Sequence, residues 1–585
     1  MTASPLGILL PFSFAVLPLV LSASLPGAAA EAPDSLTLPG ETTGQPVPGP
    51  DSSSSIRSEV EVTLLDMQSL LNAVRLEGEQ VVAVVSLEEA IATAMKQNPS
   101  LLVASIEPQL AGESVKAAKG DFDPRVRSSV EMGESDTDQE QRRSLLDIAG
   151  DVGPYPGVSV DDSSRTLEVG IGGKLFTGLQ YDVSAVRSTT DRDINTPGGD
   201  STTDKDTVAL TLTQPLLRGA GIQVNRAEIL KARQNTAASE ADLYLQQQNT
   251  VADTIGAYWQ LVGAFAAVKV RESAVQTAEQ LLADTRQRNE LGASSDLETL
   301  TAQSALARRQ NDLISAFADA GRASDHLKGI LDLRRDGIME SAMLTPVTPL
   351  AGIDLDQLRQ TGHLDERILA AWDQRPELHI KDAQAAIAQI TLRQRRNARF
   401  PSLDLVGQYG WRDTDEDYNG IVAGDTSEDG EFWSLAMKAS APIGNRRARA
   451  EYRSAQLRQD QVGREKQQLR TYIAEDLRQS MRETSKYVVL VENARKTVEL
   501  ERVRFQAEQE RYHFGTSTAF HLVQVQDDLI AEETRLAQAE AALLAAQADL
   551  QRAEGTLLSD LGLGMMAERV QDSTGVTIDK TAGGE

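Results

Sequence analysis

Two hydrophobic periods alternate along the chain. From Val224 to Glu290 apolar residues recur every three or four positions, a stripe through Val251, Ile255, Tyr258, Val262 and Phe265 towards Lys269, which predicts one helix. At 1.5 Å per residue it is about 100 Å long, too long for a globular core, so its stripe packs sideways against other helices. Residues 216–345 and 443–585 contain no proline and are rich in Ala, Gln, Leu, Glu and Arg, so both predict long helices. Between these blocks the period falls to two. In "LDLVGQYGW" Leu403, Leu405, Tyr409 and Trp411 oppose Asp404 and Gln408; in "WSLAMKASA" Trp433, Leu435, Met437 and Ala439 oppose Ser434, Lys438 and Ser440. "TVALTLT" sets Val208, Leu210 and Leu212 against Thr207, Thr211 and Thr213, and "TLEVGIGGKLF" and "LQYDVSAVR" add two strands joined at Thr177–Gly178.

Apolar-out, polar-in alternation with aromatics near strand ends fits the wall of an outer-membrane β-barrel; a half-buried sandwich strand gives the same local signal. The turn at 177–178 and the long polar loops at 134–165, 188–206 and 412–431 suit the short inner turns and long outer loops of such barrels. One chain offers about six strands, fewer than the eight of the smallest barrels, so several copies must share one.

"RNELGASSDLETLTAQSAL" (288–306) aligns without a gap with "RYHFGTSTAFHLVQVQDDL" (511–529), sharing Arg288/Arg511, Gly292/Gly515, Ser294/Ser517, Gln303/Gln526 and Leu306/Leu529. Gly292 and Gly515 supply the positive φ that ends a helix, and Ser295 with Glu298 is a capping box that starts the next. Ser86 with Glu89 is another. "KQNPSL" (96–101) answers "DQRPEL" (373–378), Pro124 answers Pro401, and "LTQPLL" (212–217) answers "ASAPIG" (439–444), so Pro215 and Pro442 mark strand-to-helix junctions.

The expected fold is mainly α with transmembrane β, a duplicated helix–strand–long-helix–hairpin unit. Residues 86–333 form the first repeat, with strands about 125–134, 166–176, 179–187 and 206–214 and a hairpin tip about 290–296. Residues 334–370 form a linker. Residues 371–563 form the second repeat, with strands about 402–411 and 432–441 and a tip about 512–519; 564–585 is a flexible tail.

Composition narrows the chemistry. At 585 residues, 4% aromatics is thin for large globular cores, so the bulk must be built some other way. The absence of cysteine removes disulfides, thiolate metal sites and cysteine nucleophiles, and fits an oxidising compartment. A net charge of −28 speaks against nucleic acid as a partner. Residues 1–30, apolar and ending in Ala28 and Ala30, read as a signal peptide for export, the alternative being an uncleaved anchor. Nine of the 21 prolines lie in the first 50 residues, and 31–85 reads as a disordered Pro/Ser-rich leader with a short helix around 60–76. No later stretch approaches an apolar 20-mer, which leaves any further membrane crossing to strands. Asp413, Asp415 and Asp417 are spaced as in a calcium loop without its glycine and closing glutamate, and Gly170, Gly172 and Gly173 lack Walker spacing. No catalytic motif, cofactor or metal site is expected.

These features together resemble the TolC family of outer-membrane efflux proteins. "SLEEAIATAMKQNPSL" (86–101) is similar to that family's first helix, "LTQPLLRGAG" (212–221) to its strand-to-helix junction, and the paired tips to its periplasmic hairpins, in family order over roughly 86–563. The resemblance implies an outer-membrane channel-tunnel for export, a passive duct. It would be a homotrimeric α-helical barrel continued by a shared β-barrel in outer-membrane lipid, docked by a periplasmic adaptor (membrane fusion) protein and an inner-membrane pump. Two strands per half are usual there, hence twelve in the barrel; four in this first half would imply eighteen. It further implies gate residues at the tips. Tyr512 and Glu298 match the family's constraints, Asp296 lies beside them, Ser517 stands where a base is common, and His521 and Gln524 stand where some members place an acidic ring. The competing reading is a periplasmic coiled-coil scaffold or adaptor without a pore.

Overall fold

The computed structural model describes residues 74–77, 80–139, 158–194, 200–333, 342–348, 350, 353–358, 363–418 and 430–563. The signal peptide, the tail after 563 and residues 60–73 of the helix expected around 60–76 lie outside these residues; the end of that expected helix, from Val74 to Leu76, is strand instead.

Strands β1 (Val74–Glu77) and β2 (Gln80–Val85) precede helices α1 (Leu87–Gln97), α2 (Pro99–Ala104) and α3 (Glu107–Lys119). Then come β3 (Arg125–Gln139), β4 (Val158–Lys174), β5 (Gln180–Ile194), β6 (Ser201–Pro215), α4 (Ile222–Asn225), α5 (Ala227–Glu290) and α6 (Asp296–Leu331). After β7 (Met343–Pro346), α7 (Leu355–Leu358), α8 (Leu364–Gln374) and α9 (Pro376–Asn397), the sequence of elements continues with β8 (Ser402–Tyr418), β9 (Gly430–Ser440), α10 (Arg446–His513), α11 (Ala519–Glu554) and α12 (Leu557–Asp560).

The 64 residues of α5 and 68 of α10 correspond to about 96 and 102 Å of helix. α6 packs along α5 and α11 along α10, and α11 also lies against α5. Small residues permit this: a Cβ on Gly263 of α5 would stand 2.9 Å from the Cβ of Ala541 on α11. The buried stripe runs through Val251, Ile255, Tyr258, Leu261, Val262 and Val268 rather than Lys269, which is exposed. Contrary to the expectation that no later stretch is apolar enough to span, α5 is long and apolar enough by length and composition; most of that apolar window is buried against the neighbouring helices.

β1 and β2 correct the expectation that disorder extends through 85. They form a sheet in the order β1-β2-β7, β2 lying parallel to β7, so part of the 334–370 linker is structured too, and α8 begins inside it. Tyr258 fixes this sheet to α5, its hydroxyl 2.8 Å from Thr348 Oγ1 and 3.3 Å from the Val85 carbonyl oxygen.

The remaining strands form one antiparallel sheet in the order β3-β4-β5-β6-β8-β9. All six are present, and most run further than the apolar alternation does, because pairing continues into polar sequence. The segment expected as a loop from 412 is strand to Tyr418, so Asp413, Asp415 and Asp417 lie on an extended ladder rather than in a calcium loop.

Candidate functional site

Two regions concentrate unusual chemistry: the faces of the six-stranded sheet and the ends of the two helical hairpins.

On one face of the sheet the register aligns Val126, Ile171, Val183, Leu210, Tyr409 and Trp433 in a single row across all six strands. Neighbouring rows carry Val169, Ala185, Val208 and Trp411 on one side and Tyr181, Leu212 and Leu435 on the other. From Leu403 to Trp411 the apolar face of β8 spans nine positions, the length a strand needs to cross a bilayer core. Beyond it the same face becomes charged, with Arg187 paired to Asp206 at 3.6 Å.

The opposite face is polar. Arg127 of β3 donates to Glu168 of β4 at 3.0 Å and to Asp182 of β5 at 2.7 Å, and Thr211, Gln408 and Ser434 continue the row of Asp182. The glycines rejected above as a phosphate loop have a packing role here. A Cβ on Gly170 would meet the Arg127 guanidinium carbon at 3.3 Å, and one on Gly172 would meet Asp182 Oδ2 at 2.7 Å. A sheet that is apolar on one face and charged on the other has the pattern of a β-barrel wall between lipid and water.

The strands meet the helices at tight junctions. Pro215 closes β6, where Gly219 and Gly221 take positive φ; Pro442 lies just after β9, where Gly444 and Asn445 do so. Asn397 at the end of α9 clamps the first junction, accepting from Gly219 N at 2.7 Å and donating to the Leu217 carbonyl at 3.1 Å.

At the hairpin ends Gly292 (φ 72°) and Gly515 (φ 73°) take the same left-handed conformation. In each, the glycine N–H bonds three residues back, to Asn289 or Tyr512, and the following N–H bonds five back, to Arg288 or Arg511, the pattern of a Schellman stop. Ser295 Oγ accepts from Glu298 N at 3.3 Å, but only half of the expected capping box forms, because the Glu298 carboxylate takes the Ser294 hydroxyl at 2.5 Å. Ser86 and Glu89 form both halves of theirs. Thr518 caps α11 through the His521 N–H.

The two ends share a small core of Leu281, Leu282, Ala302, Ala305, Tyr512, Ala519, Leu522 and Val523. Tyr512 is buried in it. Its hydroxyl is 2.9 Å from Thr285 Oγ1, which in turn donates to the Leu281 carbonyl at 2.6 Å. Arg288 lies over the Tyr512 ring at 4.7 Å and donates to the Tyr512 and His513 carbonyls, both at 2.9 Å. These are terminal carbonyls of α10, where a helix favours a cation. Asp296 is exposed and accepts from Asn289 at 3.0 Å. Ser517 donates to Glu508, which also accepts from Arg511 at 3.0 Å. The Ser517 hydrogen bond, followed by the charges of Arg511 and His521, holds the Glu508 carboxyl below its ordinary range against partial desolvation. His521 and Gln524 are exposed.

Sequence reasoning noticed Arg288 only as a repeated residue and missed Thr285 and Glu508 altogether. It also missed Arg309, which is buried on α6 and paired with Asp527 of α11 and with Asp312, itself bonded by Arg271 of α5 at 3.2 Å. Among the described residues no His, Asp and Glu cluster is arranged to hold a metal ion.

A sheet with one lipid-type face, carried on hairpins of about 100 Å, defines the fold class of outer-membrane channels. OprN, an outer-membrane channel, is similar at 17% identity and a TM-score of 0.53, over 80% of this chain and 89% of its own. The CmeC outer membrane channel of Campylobacter jejuni matches at 15% and 0.56, over 84% of this chain and 90% of its own. The MtrE outer membrane channel of Neisseria gonorrhoeae, solved in its open state, matches at 16% and 0.54, over 81% and 89%. No curated protein matches in sequence. Residues 90–331 match the family described as outer membrane efflux protein.

Proposed function

We propose that the protein is a passive export duct of the outer membrane, formed by three copies around one lumen and reaching into the periplasm. The two halves act as a duplicated unit. Their strands build a shared β-barrel, their long helices an α-helical barrel, and the Gly292 and Gly515 tips a closable end that docks a periplasmic adaptor and an inner-membrane pump.

One observation carries this reading: the apolar row from Val126 to Trp433 crosses a sheet whose other face is charged. A periplasmic scaffold has no use for such a face. Further support comes from large apolar residues left exposed along the helices, among them Ile314 and Phe317 of α6 and Leu500 and Val503 of α10, as expected of surfaces covered by other copies. At the tips, Arg288, Thr285 and Tyr512 hold the closed arrangement within each copy. With Ser517 in place of a base and His521 and Gln524 in place of acids, the entrance lacks the acidic ring and binds divalent cations weakly.

Extraction tests the reading. A barrel stays with the membrane through high-salt and alkaline washes and is released by detergent as a complex of three copies. Release by the washes alone would favour the scaffold.

A further inference from the structure

We infer that the β4–β5 hairpin is part of the transmembrane wall, so that each copy contributes six strands and a ring of three copies closes eighteen. The inference rests on the three-copy reading above and fixes what that reading leaves open, the width of the barrel.

β4 and β5 are the strands that do not continue into helices. β3 follows α3, β6 leads to α5, β8 follows α9 and β9 leads to α10, whereas β4 and β5 are joined to each other by the turn after Lys174. An ornament on the outside of a wall would pair along one edge only. Instead β4 pairs with β3 from Arg125↔Gly172 to Gln139↔Val158, and β5 pairs with β6 from Gln180↔Thr213 to Arg192↔Ser201. The hairpin therefore separates β3 from β6 along their lengths.

Its turn is seated in the strand-to-helix junction. Gly178 takes φ 96°, and a Cβ there would meet Asn225 Nδ2 at 2.7 Å and the Gly219 carbonyl at 2.8 Å. The Gly221 N–H bonds the Thr177 carbonyl at 3.3 Å. Phe176 packs 4.6 Å from the Phe122 ring, with Arg226 5.4 Å above it on the way into α5. Both faces of the hairpin also match the wall. Val169, Ile171 and Val183 continue the apolar rows, and Glu168 and Asp182 supply the carboxylates that Arg127 grips on the polar side.

The edges say how the wall closes. The six strands alternate in direction, so β3 and β9 run oppositely, and β9 of one copy beside β3 of the next preserves the alternation. Neither edge strand contains proline, and neither pairs on its outer side among the described residues. Backbone groups left open in hydrocarbon are not tolerated. Apolar side chains are most exposed at these edges, Val126 at 75% and Trp433 at 77% against 37% for Leu210 in the middle of the row, which is where the next copy belongs. With a strand spacing of about 4.8 Å and a tilt of about 40°, eighteen strands close to a backbone diameter of about 36 Å, where twelve close to about 24 Å. The membrane segment is then a wide mouth, and the constriction falls to the hairpin tips.

Electron cryomicroscopy of the full-length protein in detergent tests this. Three copies around eighteen strands is the expected result. Three copies around twelve strands, with β4–β5 outside, would overturn the inference and leave the duct standing; a lone copy would overturn both. A second measurement uses the cysteine-free chain. A nitroxide on Ile171→Cys or Val183→Cys in bilayers should collide with oxygen more readily than with a water-soluble nickel chelate. The reverse preference at both positions would place the hairpin in water and overturn the inference.

Discussion

Arg288 lies 4.7 Å over the ring of Tyr512 and donates 2.9 Å hydrogen bonds to the carbonyls of Tyr512 and His513, fastening the end of one long helix to the end of the other. A single guanidinium thus answers a helix C-terminus and an aromatic face, a combination lysine cannot reproduce. In the Arg288→Ala variant the two tips lose this fastening, at about 1.5–3 kcal/mol for charged hydrogen bonds. The expected outcome is more frequent channel opening in bilayer recordings with assembly unchanged. Arg288→Lys should be intermediate, and Tyr512→Phe, which deletes only the bond to Thr285, weaker than Arg288→Ala.

Glu508 gives the tip a pH dependence. Its folded pKa is held below the ordinary carboxylate value, first by Ser517 and then by Arg511 and His521. Its contribution to stability is therefore present above that ordinary value of about 4.3 and is lost as pH falls through the lower folded value. Amide protection around Gly515, corrected for intrinsic exchange, should fall in acid, and Glu508→Gln should remove most of that dependence.

Helix position decides the effect of proline at the tips. Leu297 is in the first turn of α6, where the N–H has no helical partner, and Leu297→Pro should be tolerated. Leu522 N–H bonds Thr518 O at 3.2 Å and its side chain is buried. Leu522→Pro should abolish export while copies still assemble through the strands, as read by a transport assay and native mass.

Arg375 is buried and donates to Glu377 at 2.7 Å, Asp476 at 2.9 Å and the Ala553 carbonyl at 3.2 Å, joining α9, α10 and the end of α11. Arg375→Met leaves Glu377 without its cation and Asp476 with only Arg552, at 3.9 Å, and should cost about 3–5 kcal/mol, seen as a lowered Tm. Gly263→Leu, at the close approach to Ala541, should cost about 1–3 kcal/mol by overpacking.

The long helices, the strands and the two tips were legible because each is written locally, as a period of 3.6 or 2 or as a glycine at a helix end. What lay between distant segments was not. β2 reads as part of a polar leader because its partner β7 is more than 250 positions away. The outer parts of β8 carry no apolar alternation, since they leave the apolar band before the ladder ends. The repeat itself misled at the tips: Arg288 and Arg511 align, yet Arg288 binds the opposite helix and Arg511 binds Glu508 of its own. The same holds for Asn98 and Arg375. Both reach the carbonyls ending their hairpin's second helix, at Ile330 and Ala553, one as an amide and the other as a buried cation.

The central claim, a duct, is tested most directly by single-channel recording of the purified protein in a planar bilayer, with the Arg288→Ala variant alongside. The account predicts small openings that enlarge or lengthen in the variant and are little affected by added divalent cations. Silence from both proteins, folded and inserted, would contradict it.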